Sequence, residues 1–472
     1  MPELRSINPT DASVLGSVKI STKIEIEAAV SAAKKAFPGW RALGLTKRAQ
    51  VLVRLAGLLK QSRQALAELI TREMGKPIVQ SLDEVDTTVS DILYNAQAGQ
   101  KLLADEVLAK NKGLTSILRY DPVGVVACIK PWNYPINTPM LSMAAALAAG
   151  NCVIFKPAGD TVLCGQKLAE LIWSSGVPKD VFQVVYGGAK IGEMLIDQPI
   201  DMVSFTGSSA VGKAIADKCA ARLIKFSLEM GGSTPAIVCR DADLELAANA
   251  IVWSRFNNCG QVCNAVKRVF VERGVAAKLT KLIVAKVAKL KVGNPLDKTT
   301  DMGPLVSEKQ LHAFEAQVTK SVVQSGRIIL GGRRLRTDDY LKGYFHQPTV
   351  MIHVHTKMAV MQEEVFGPLL PICEVESLGQ AIRHANQSDY GLTAVGFTAS
   401  RQNAERITNE VIAGGTYINE EVAFYPGSPW TGLKNSGFGT IGGKHGLYEF
   451  THKRHVHLDF TGRKTRSYWF NA

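Results

Sequence analysis

The stretch "VGVVACIKPWNYPINTPMLSMAAALAAGNCVIFKP", Val123 to Pro157, decides the fold class. An apolar run typical of a buried strand ends in "KPWNYP". An apolar helical segment follows and closes on Gly150, and a second apolar run ends in "FKP". Strand, helix and strand in this order predict a parallel sheet with helices on its faces.

The same alternation continues through "LCGQKLAELIWSSG", "DVFQVVYG" and "MVSFTG". A second alternating block begins near Pro235 with "PAIVC" and "DLELAANAIVWSRF". The pattern therefore predicts two α/β domains in series, with a boundary within "LEMGGST", Leu228 to Thr234. Roughly the first hundred residues have apolar side chains at three- and four-residue spacing, which predicts helices.

The composition is that of a soluble globular protein. A chain of 472 residues is long enough for two or three domains. Apolar residues make up 46% and charged residues 21% of the chain, and no apolar run reaches the roughly 18 residues needed to span a bilayer. The start, "MPELRSINPT", lacks the apolar centre of a secretory signal. We expect a cytoplasmic protein with no membrane partner.

The net charge of +13 raises the question of nucleic-acid binding. The basic residues are spread along helical stretches, and only the tail "HKRHVHLDFTGRKTRSYWF" is dense in them. No paired zinc ligands and no aromatic RNA-binding motif accompany them. A solvated basic surface is favoured, and no nucleic-acid partner is expected.

The segment "RFNNCGQVCNAVKR", residues 255–268, holds two cysteines, Cys259 and Cys263. Without nearby histidines a zinc site is disfavoured, and no metal is expected. A disulfide is conceivable if the segment is helical, because residues four apart on a helix lie about 6 Å apart. Packing of two small core residues is a third reading. However, the polar, glycine-bearing sequence favours a loop that enters a helix N-terminus, where the helix dipole favours a thiolate nucleophile.

Two histidine pairs, His353/His355 and His455/His457, are interpreted as alternate residues of exposed strands. They lie far from the two cysteines in the sequence.

Other polar residues are weak signals when each is taken alone. Glu229 in "LEMGG" is either an exposed strand end or a buried general base. Asn133 lies in a rigid turn between two prolines. Lys156 ends a strand, facing solvent or a ribose. The turn from Gly207 to Gly212 opens a helix where a phosphate could bind, although it lacks the G-x-G-x-x-G fingerprint.

Taken together and in this order, these residues resemble the aldehyde dehydrogenase superfamily. The motifs that carry the resemblance are "PWNYP", "FKPA", "SFTGSSAVG", "LEMGGS", "FNNCGQVC", "EEVFGP" and "PWTGLKNSGFG". They cover essentially the whole chain. The resemblance implies that Cys263 attacks the aldehyde carbon, that Asn133 and the Cys263 backbone N–H hold the oxyanion, and that Glu229 activates water. Hydride would pass to a nicotinamide.

The resemblance also implies a set of residues that bind NAD or NADP. They are Trp132, Lys156, Gly159, Gly207, Ser208, Gly212, Met230, Gly231, Glu364 and Phe366. Many NAD-preferring members have a glutamate where this chain has Gly159. Because loss of that carboxylate removes a like-charge clash with a 2′-phosphate, NADP should be tolerated, and Lys190 is a candidate for assisting it.

The implied fold is two doubly wound, Rossmann-like α/β domains with a β-hairpin for oligomerisation. We assign residues 1–111 and 123–231 to the NAD(P)-binding domain and residues 232–446 to the catalytic domain. Residues 112–122 and 447–472 would form the oligomerisation strands, pairing the strand around Leu114–Tyr120 with "RHVHLDF". A homodimer or homotetramer is expected.

The substrate is the least determined part of the resemblance. "REMGKP" and "GQVCNAVKR" are similar to succinate-semialdehyde and lactaldehyde dehydrogenases. Succinate-semialdehyde enzymes often place arginines in the tunnel, yet the aligned positions here are Leu141 and Asn257. The expected tunnel residues are Tyr134, Leu141, Asn257, Phe424 and Trp430. They favour a neutral alkyl or aromatic aldehyde, and Arg255 is the candidate that would instead make succinate semialdehyde the substrate.

Two alternative functions and two interpretations of Cys259 stay open. An acylating enzyme that releases acyl-CoA is disfavoured by Glu229, which such enzymes often lack. A non-catalytic structural or binding member of the fold is disfavoured by the intact Asn133, Glu229 and Cys263. Cys259 either packs or forms a reversible disulfide with Cys263 under oxidation.

Overall fold

The structure, a computed structural model, describes residues 2–337 and 340–464. The helices are α1 Lys23–Ala42, α2 Leu45–Gln61, α3 Arg63–Met74, α4 Ile78–Leu102, α5 Asn137–Ala149, α6 Val162–Ser174, α7 Ala189–Ile196, α8 Ser209–Ala221, α9 Leu244–Phe256, α10 Arg273–Val287, α11 Glu308–Val323, α12 Ala359–Gln362, α13 Leu378–Asn386, α14 Arg401–Glu410 and α15 Gly443–Glu449. Short 3₁₀ turns lie at Gly159–Thr161 and Asn257–Gly260.

The strands are β1 Glu3–Ile7, β2 Val14–Lys19, β3 Glu106–Asn111, β4 Leu114–Pro122, β5 Val125–Ile129, β6 Cys152–Lys156, β7 Phe182–Val184, β8 Met202–Thr206, β9 Lys225–Glu229, β10 Thr234–Val238, β11 Val266–Glu272, β12 Arg327–Leu330, β13 Thr349–Ile352, β14 Leu369–Val375, β15 Tyr390–Gly391, β16 Thr393–Phe397, β17 Gly415–Ile418, β18 Leu433–Lys434, β19 Gly437–Phe438 and β20 Thr451–Asp459.

The first large sheet has the strand order β19-β9-β8-β5-β6-β7. Strands β5 to β9 are parallel, and β19 pairs antiparallel with β9 at the edge. Every residue of β5 and β6 is buried, as expected for parallel strands covered on both faces. The chain leaves β5 to form β6 on one side and β8 on the other. This reversal of strand order opens a crevice at the carboxyl ends of the strands.

The second large sheet has the order β12-β13-β14-β11-β10-β16-β17. Only β12 is antiparallel to its neighbour. The first sheet ends its parallel set with β9 at Glu229, and the second begins with β10 at Thr234. Each sheet is the centre of its own hydrophobic core. The predicted organisation of two parallel α/β units is therefore confirmed.

A third sheet of three antiparallel strands, β20-β4-β3, has largely exposed outer strands, whereas β4 is half-buried and its Tyr120 packs against the first core. The predicted pairing of the strand near Leu114–Tyr120 with the late strand is present, with Leu118 opposite His455. The predicted division differs from the structure in two places. It assigned 106–111 to the cofactor domain, whereas β3 pairs with β4.

The second difference concerns the late segment, residues 447–472, that was assigned to the oligomerisation strands. Leu447 and Phe450, assigned to the oligomerisation strands, are fully buried in the first core. They lie there because α15 packs on α4 and α5 before the chain enters β20. Residues 465–472, which the division also included, lie outside the described residues.

Two local expectations are wrong. The N-terminal region was read as helices alone, but β1 and β2 form an antiparallel hairpin before α1. These strands are short and half exposed, so they produce no strong apolar pattern. The pair His353/His355 does not lie on a strand, because β13 ends at Ile352 and His353 has a left-handed φ of 57°. His455 and His457 do lie on β20.

None of the helices in the described ranges is long and apolar enough to cross a membrane. All eight cysteines lie in those ranges and are free thiols. Only Cys263 among them is not fully buried.

We predict that Phe155→Ala will destabilise the first domain strongly. Phe155 is completely buried in β6 and contacts Phe182 with ring centroids 6.3 Å apart. Truncation of a buried phenylalanine costs about 3–5 kcal/mol through lost transfer free energy and the cavity left behind. Urea unfolding would measure it, with Ile24→Ala on the exposed face of α1 as control. Equal effects of the two variants would contradict this description of the core.

Candidate active site

Four of the predicted site residues lie at the carboxyl ends of strands in the first sheet. Asn133 follows β5, Lys156 ends β6, Gly207 follows β8 and Glu229 ends β9. These four strands lie side by side in the order β9-β8-β5-β6. The sheet therefore brings to one edge residues that are far apart in the sequence, at the place where open α/β sheets bind ligands.

Cys263 lies in the loop between α9 and β11, shortly before this strand of the second sheet begins. After α9 ends, Asn258 and Cys259 take left-handed φ angles of 51° and 56°, and Gly260 has a φ of 71°. A Cβ atom on Gly260 would lie 2.5 Å from the Gly367 carbonyl oxygen, so only glycine fits there. A residue other than glycine costs of order 1–3 kcal/mol of free energy when its backbone is left-handed. Such strained residues are typical of functional loops.

This loop corrects the expectation that a helix N-terminus activates the thiol. Cys263 is followed by a turn and then by β11, not by a helix, so no helix dipole is aimed at it. Burial is the largest influence on the Cys263 thiol and raises its pKa to about 11, although Lys267 opposes the change. The thiol is therefore protonated at neutral pH in this structure.

The two cysteines occupy different surroundings. Cys259 is 1% exposed and packs in the second core, whereas Cys263 lines a cavity. The helical spacing that would have allowed a disulfide between them is absent, because Cys259 is left-handed and Cys263 lies in a turn. Burial also raises the pKa of the Cys259 thiol, which makes it a poor nucleophile. These surroundings favour the packing interpretation of Cys259.

Asn133 is joined to the loop that carries Cys263. Its side-chain Nδ2 donates to the Gln261 carbonyl oxygen at 3.0 Å. In return, Asn258 Nδ2 donates to the Asn133 carbonyl oxygen at 3.1 Å. The loop after β5 and the loop before β11 are thus held together by hydrogen bonds in both directions. One N–H of the Asn133 amide is engaged, which leaves the second as a donor.

Glu229 is a buried carboxyl, not an exposed strand end. It is 3% exposed and lines the cavity beside Cys263. Neither of its carboxyl oxygens has a hydrogen-bond partner within the described residues. Burial raises the pKa of Glu229 well above its usual value, with Lys130 opposing and Glu449 adding to the shift.

The cavity has a volume of about 320 Å³. All five predicted tunnel residues line it: Tyr134, Leu141, Asn257, Phe424 and Trp430. The Phe424 and Trp430 rings meet edge to face with centroids 5.8 Å apart. Arginine, lysine and histidine are absent from the described residues that line it.

Several residues that line the cavity were not predicted from the sequence. They are Asp83, Glu84, Thr87, Asn137, Thr138, Trp253, Val422, Ile441 and Glu421, among others. The four-residue spacing of Asp83 and Thr87 places them on one face of α4, but that pattern is indistinguishable from an ordinary helix surface. Burial and nearby carboxyl groups raise the pKa of Glu421 to about 7.

Arg255 was the candidate for the cation that would hold the carboxylate of succinate semialdehyde. Arg255 is completely buried and does not line the cavity. Its Nη2 donates to the carbonyl oxygens of Val365 and Gly367. The suggestion that Arg255 holds a substrate carboxylate is therefore wrong.

Lys267 was not predicted, yet it organises the next part of the site. It is fully buried, and its Nζ donates to the carbonyl oxygens of Gly232 and Cys263, each at 2.8 Å. The same Nζ forms an ion pair with Glu364 at 2.8 Å, and Glu364 also accepts from the Gly232 N–H at 3.0 Å. The backbone of Cys263 is thereby tied to a predicted cofactor residue.

The remaining predicted cofactor residues surround the same crevice. Phe366 meets the Trp132 ring edge to face, with centroids 5.5 Å apart. Two glycines allow close packing, since a Cβ atom on Gly212 would lie 2.2 Å from Met230 Sδ and one on Gly231 would lie 2.2 Å from Glu364.

The crevice has donors that fit a dinucleotide. Ser208 precedes α8 without a side-chain cap, so the first N–H groups of that helix are available to a phosphate. Lys156 is buried and donates only to the Pro157 carbonyl oxygen among the described contacts, at 3.1 Å. Burial lowers the pKa of Lys156 to about 8. Gly159 lies next to Leu4 of β1, since a Cβ atom there would be 3.3 Å from Leu4 Cδ1.

Comparisons with known proteins agree with this arrangement. The aldehyde dehydrogenase family model matches residues 2–456. A 3,6-anhydro-α-L-galactose dehydrogenase from Vibrio sp. (strain EJY3) is 34% identical over 96% of this chain and 95% of its own length. A 3-sulfolactaldehyde dehydrogenase from Priestia aryabhattai is 37% identical over 94% and 92%.

A solved structure is equally similar. Betaine aldehyde dehydrogenase from Staphylococcus aureus in complex with NAD⁺ superposes with a TM-score of 0.95 at 32% identity, covering 100% of this chain and 94% of that one. The match spans the cofactor domain, the catalytic domain and the three-stranded sheet alike. The chain therefore belongs to the aldehyde dehydrogenase family and is an oxidoreductase that acts on aldehydes.

Proposed function

We propose that this protein oxidises an aldehyde to its carboxylic acid with NAD⁺ or NADP⁺, through a thioester on Cys263. The observation that carries the proposal is that Cys263 and Glu229 line one cavity while Asn133 is bonded to the Cys263 loop. The Cys263 thiol gives up its proton to solvent, the thiolate sulfur attacks the aldehyde carbon, and the carbonyl electron pair moves to oxygen. The free N–H of Asn133 and the backbone N–H of Cys263 stabilise that oxyanion.

A bound nicotinamide would supply the acceptor for the hydride of the thiohemiacetal carbon, whose loss leaves a thioester on Cys263. We assign Lys156, Ser208 and the N-terminus of α8 to its ribose and phosphates, and Glu364 and Phe366 to its nicotinamide end. The Glu229 carboxylate then takes a proton from water, the hydroxide attacks the thioester carbon, and the C–S bond breaks to release the carboxylic acid and the Cys263 thiolate. The presence of Glu229 favours this hydrolysis over transfer of the acyl group to CoA.

We propose that NADP is accepted as well as NAD. Gly159 carries no carboxylate that would repel a 2′-phosphate. The exposed sheet β20-β4-β3 supports assembly as a homodimer or homotetramer, since its edge strands have unpaired backbone groups. The cytoplasmic location stays a prediction from the sequence.

For the substrate, we propose a neutral alkyl or aromatic aldehyde. The cavity offers the aromatic side chains Tyr134, Phe424 and Trp430 and no basic group among its described lining residues. An anionic aldehyde would lose water there without gaining a cation, which is unfavourable. Succinate semialdehyde is the alternative, and Arg255, the residue named as a possible cation for it, does not line the cavity.

We predict that Cys263→Ala is inactive and that Glu229→Gln stalls after one turnover. Removal of the sulfur prevents the thiohemiacetal, whereas the glutamine removes only the base that hydrolyses the thioester. Stopped-flow measurement should show one equivalent of reduced cofactor per Glu229→Gln site and little steady-state turnover. Cys259→Ala is the matched control and should stay within about twofold of wild type. Normal steady-state turnover by Glu229→Gln would contradict the proposed base.

We predict that alkylation of Cys263 in the cofactor-free enzyme accelerates with pH. Because the folded pKa of the thiol is about 11, the thiolate fraction should rise tenfold per pH unit throughout the range of roughly 7 to 9.5 in which alkylation is measured. The rate of inactivation by iodoacetamide would measure the alkylation of Cys263. Mass spectrometry of the Cys263→Ala variant would measure the label on the other cysteines. A rate that levels off below pH 9 would show a thiol far more acidic than its burial implies.

We predict that hexanal or benzaldehyde exceeds succinate semialdehyde by at least about tenfold in kcat/KM, or 1.4 kcal/mol. The reason is the missing cation in the cavity. A panel with lactaldehyde included, run with NAD and NADP in parallel, would measure it. Leu141→Arg is the matched test of the reason, since it should shift the preference toward succinate semialdehyde. A wild-type preference for succinate semialdehyde would refute the substrate proposal.

A further inference from the structure

The motif "REMGKP", residues 72–77, has no role in the chemistry proposed above, although it leads to a buried charge. Helix α3 ends at Met74, Gly75 turns the chain with a φ of 80°, and Lys76 and Pro77 lead into α4. The Lys76 side chain is completely buried and forms an ion pair with Glu84, which is equally buried. Glu84 lies on α4, two turns after Lys76, and lines the cavity.

Glu84 and Lys76 hold the loop that carries Asn133. Glu84 Oε1 accepts hydrogen bonds from the backbone N–H groups of Ile136 and Asn137, at 2.9 and 3.1 Å. These are the first donors of α5, where a carboxylate is favoured by the helix dipole. Lys76 Nζ lies 3.5 Å from the centroid of the Tyr134 ring. The residues on the C-terminal side of Asn133 are thus fixed against α4.

The same face of α4 also holds the loop that carries Cys263. Gln80 lies one turn before Glu84, so the two side chains share a face. Gln80 Oε1 accepts from the backbone N–H of Asn258 at 2.9 Å. Asn258 in turn donates to the carbonyl oxygens of Asn133 and Gln261. One helical surface therefore contacts both loops whose separation sets the geometry of attack on the aldehyde.

We propose that Lys76, Gln80 and Glu84 are positioning residues that align Asn133 with Cys263. We call them the α4 platform. The inference rests on the proposed oxyanion role of Asn133 and adds to it the source of its alignment. Stability alone gives a weak reason for such a pair, because the desolvation cost of two buried charges often exceeds their attraction. However, the Glu84 carboxylate has one defined orientation, because Lys76 and two backbone N–H groups hold it. It therefore fixes the position of the start of α5.

The molecule provides a matched control for a purely structural carboxylate. Glu73, on α3, is also fully buried and accepts from the backbone N–H groups of Leu163 and Cys164 at 2.8 and 2.6 Å, near the start of α6. It also accepts from the Ser6 hydroxyl at 2.6 Å. Neither α6 nor β1 carries a residue of the proposed chemistry. Glu73→Gln therefore removes a similar charge without touching either loop.

The test is a double-mutant cycle on the rate of reduced-cofactor formation in a single turnover. Glu84→Gln and Gln80→Leu are each made alone and with Asn133→Ala, and Glu73→Gln is made alone. Because displacement by about 1 Å at a reacting centre can cost a hundredfold, Glu84→Gln should slow the step roughly 10- to 100-fold. In the Asn133→Ala background the same change should slow it less than about threefold, since the aligned group is absent.

Glu73→Gln should lower the melting temperature as much as Glu84→Gln while leaving the single-turnover rate within about twofold. If Glu84→Gln does not fold, Gln80→Leu carries the same cycle, because it removes two hydrogen bonds, with Asn258 and with the carbonyl oxygen of Asp301, and no charge. Equal slowing with and without Asn133, or an unchanged rate in folded Glu84→Gln and Gln80→Leu, would overturn the α4 platform. A fully active Asn133→Ala would instead refute the proposed oxyanion role, and the inference would fall with it.

Discussion

The exchange of hydrogen bonds between Asn133, Asn258 and Gln261 is the contact on which the rest of the site depends. It joins a loop from the first sheet to a loop from the second, and the two sheets belong to separate hydrophobic cores. Each sheet alone supplies half of the chemistry: a carboxyl and an amide from one, a thiol from the other. Only when these loops are in contact do Cys263 and Glu229 line the same cavity.

Burial explains the resting state of the two central groups. Both Cys263 and Glu229 are removed from water, and in each case burial is the largest cause of the raised pKa. Among the neighbouring charged groups, Glu364 forms an ion pair with Lys267. The Lys267–Glu364 pair also fixes the backbone at Cys263, because Lys267 Nζ donates to the Cys263 carbonyl oxygen.

Much of the fold could be predicted because parallel strands buried on both faces appear as uninterrupted apolar runs, as in β5 and β6. The individual site residues were recognised through the family resemblance, which assigns positions but not geometry. Local backbone could not be predicted: the left-handed turn at Asn258 and Cys259 has no periodic pattern, so the loop was mistaken for the start of a helix. Lys267 and Glu84 were missed for another reason. Their roles arise from contacts with distant residues, such as that between Glu84 and Ile136, which spacing along the chain does not encode.

The contact between Leu4 and Gly159 has an evolutionary consequence. A side chain added at Gly159 would begin 3.3 Å from a methyl group of the N-terminal hairpin. The hairpin must then yield by a few tenths of an ångström, and a long acidic side chain there also needs a path around Leu4. A lineage that gained or lost a carboxylate at this position would therefore be expected to change residue 4 in step.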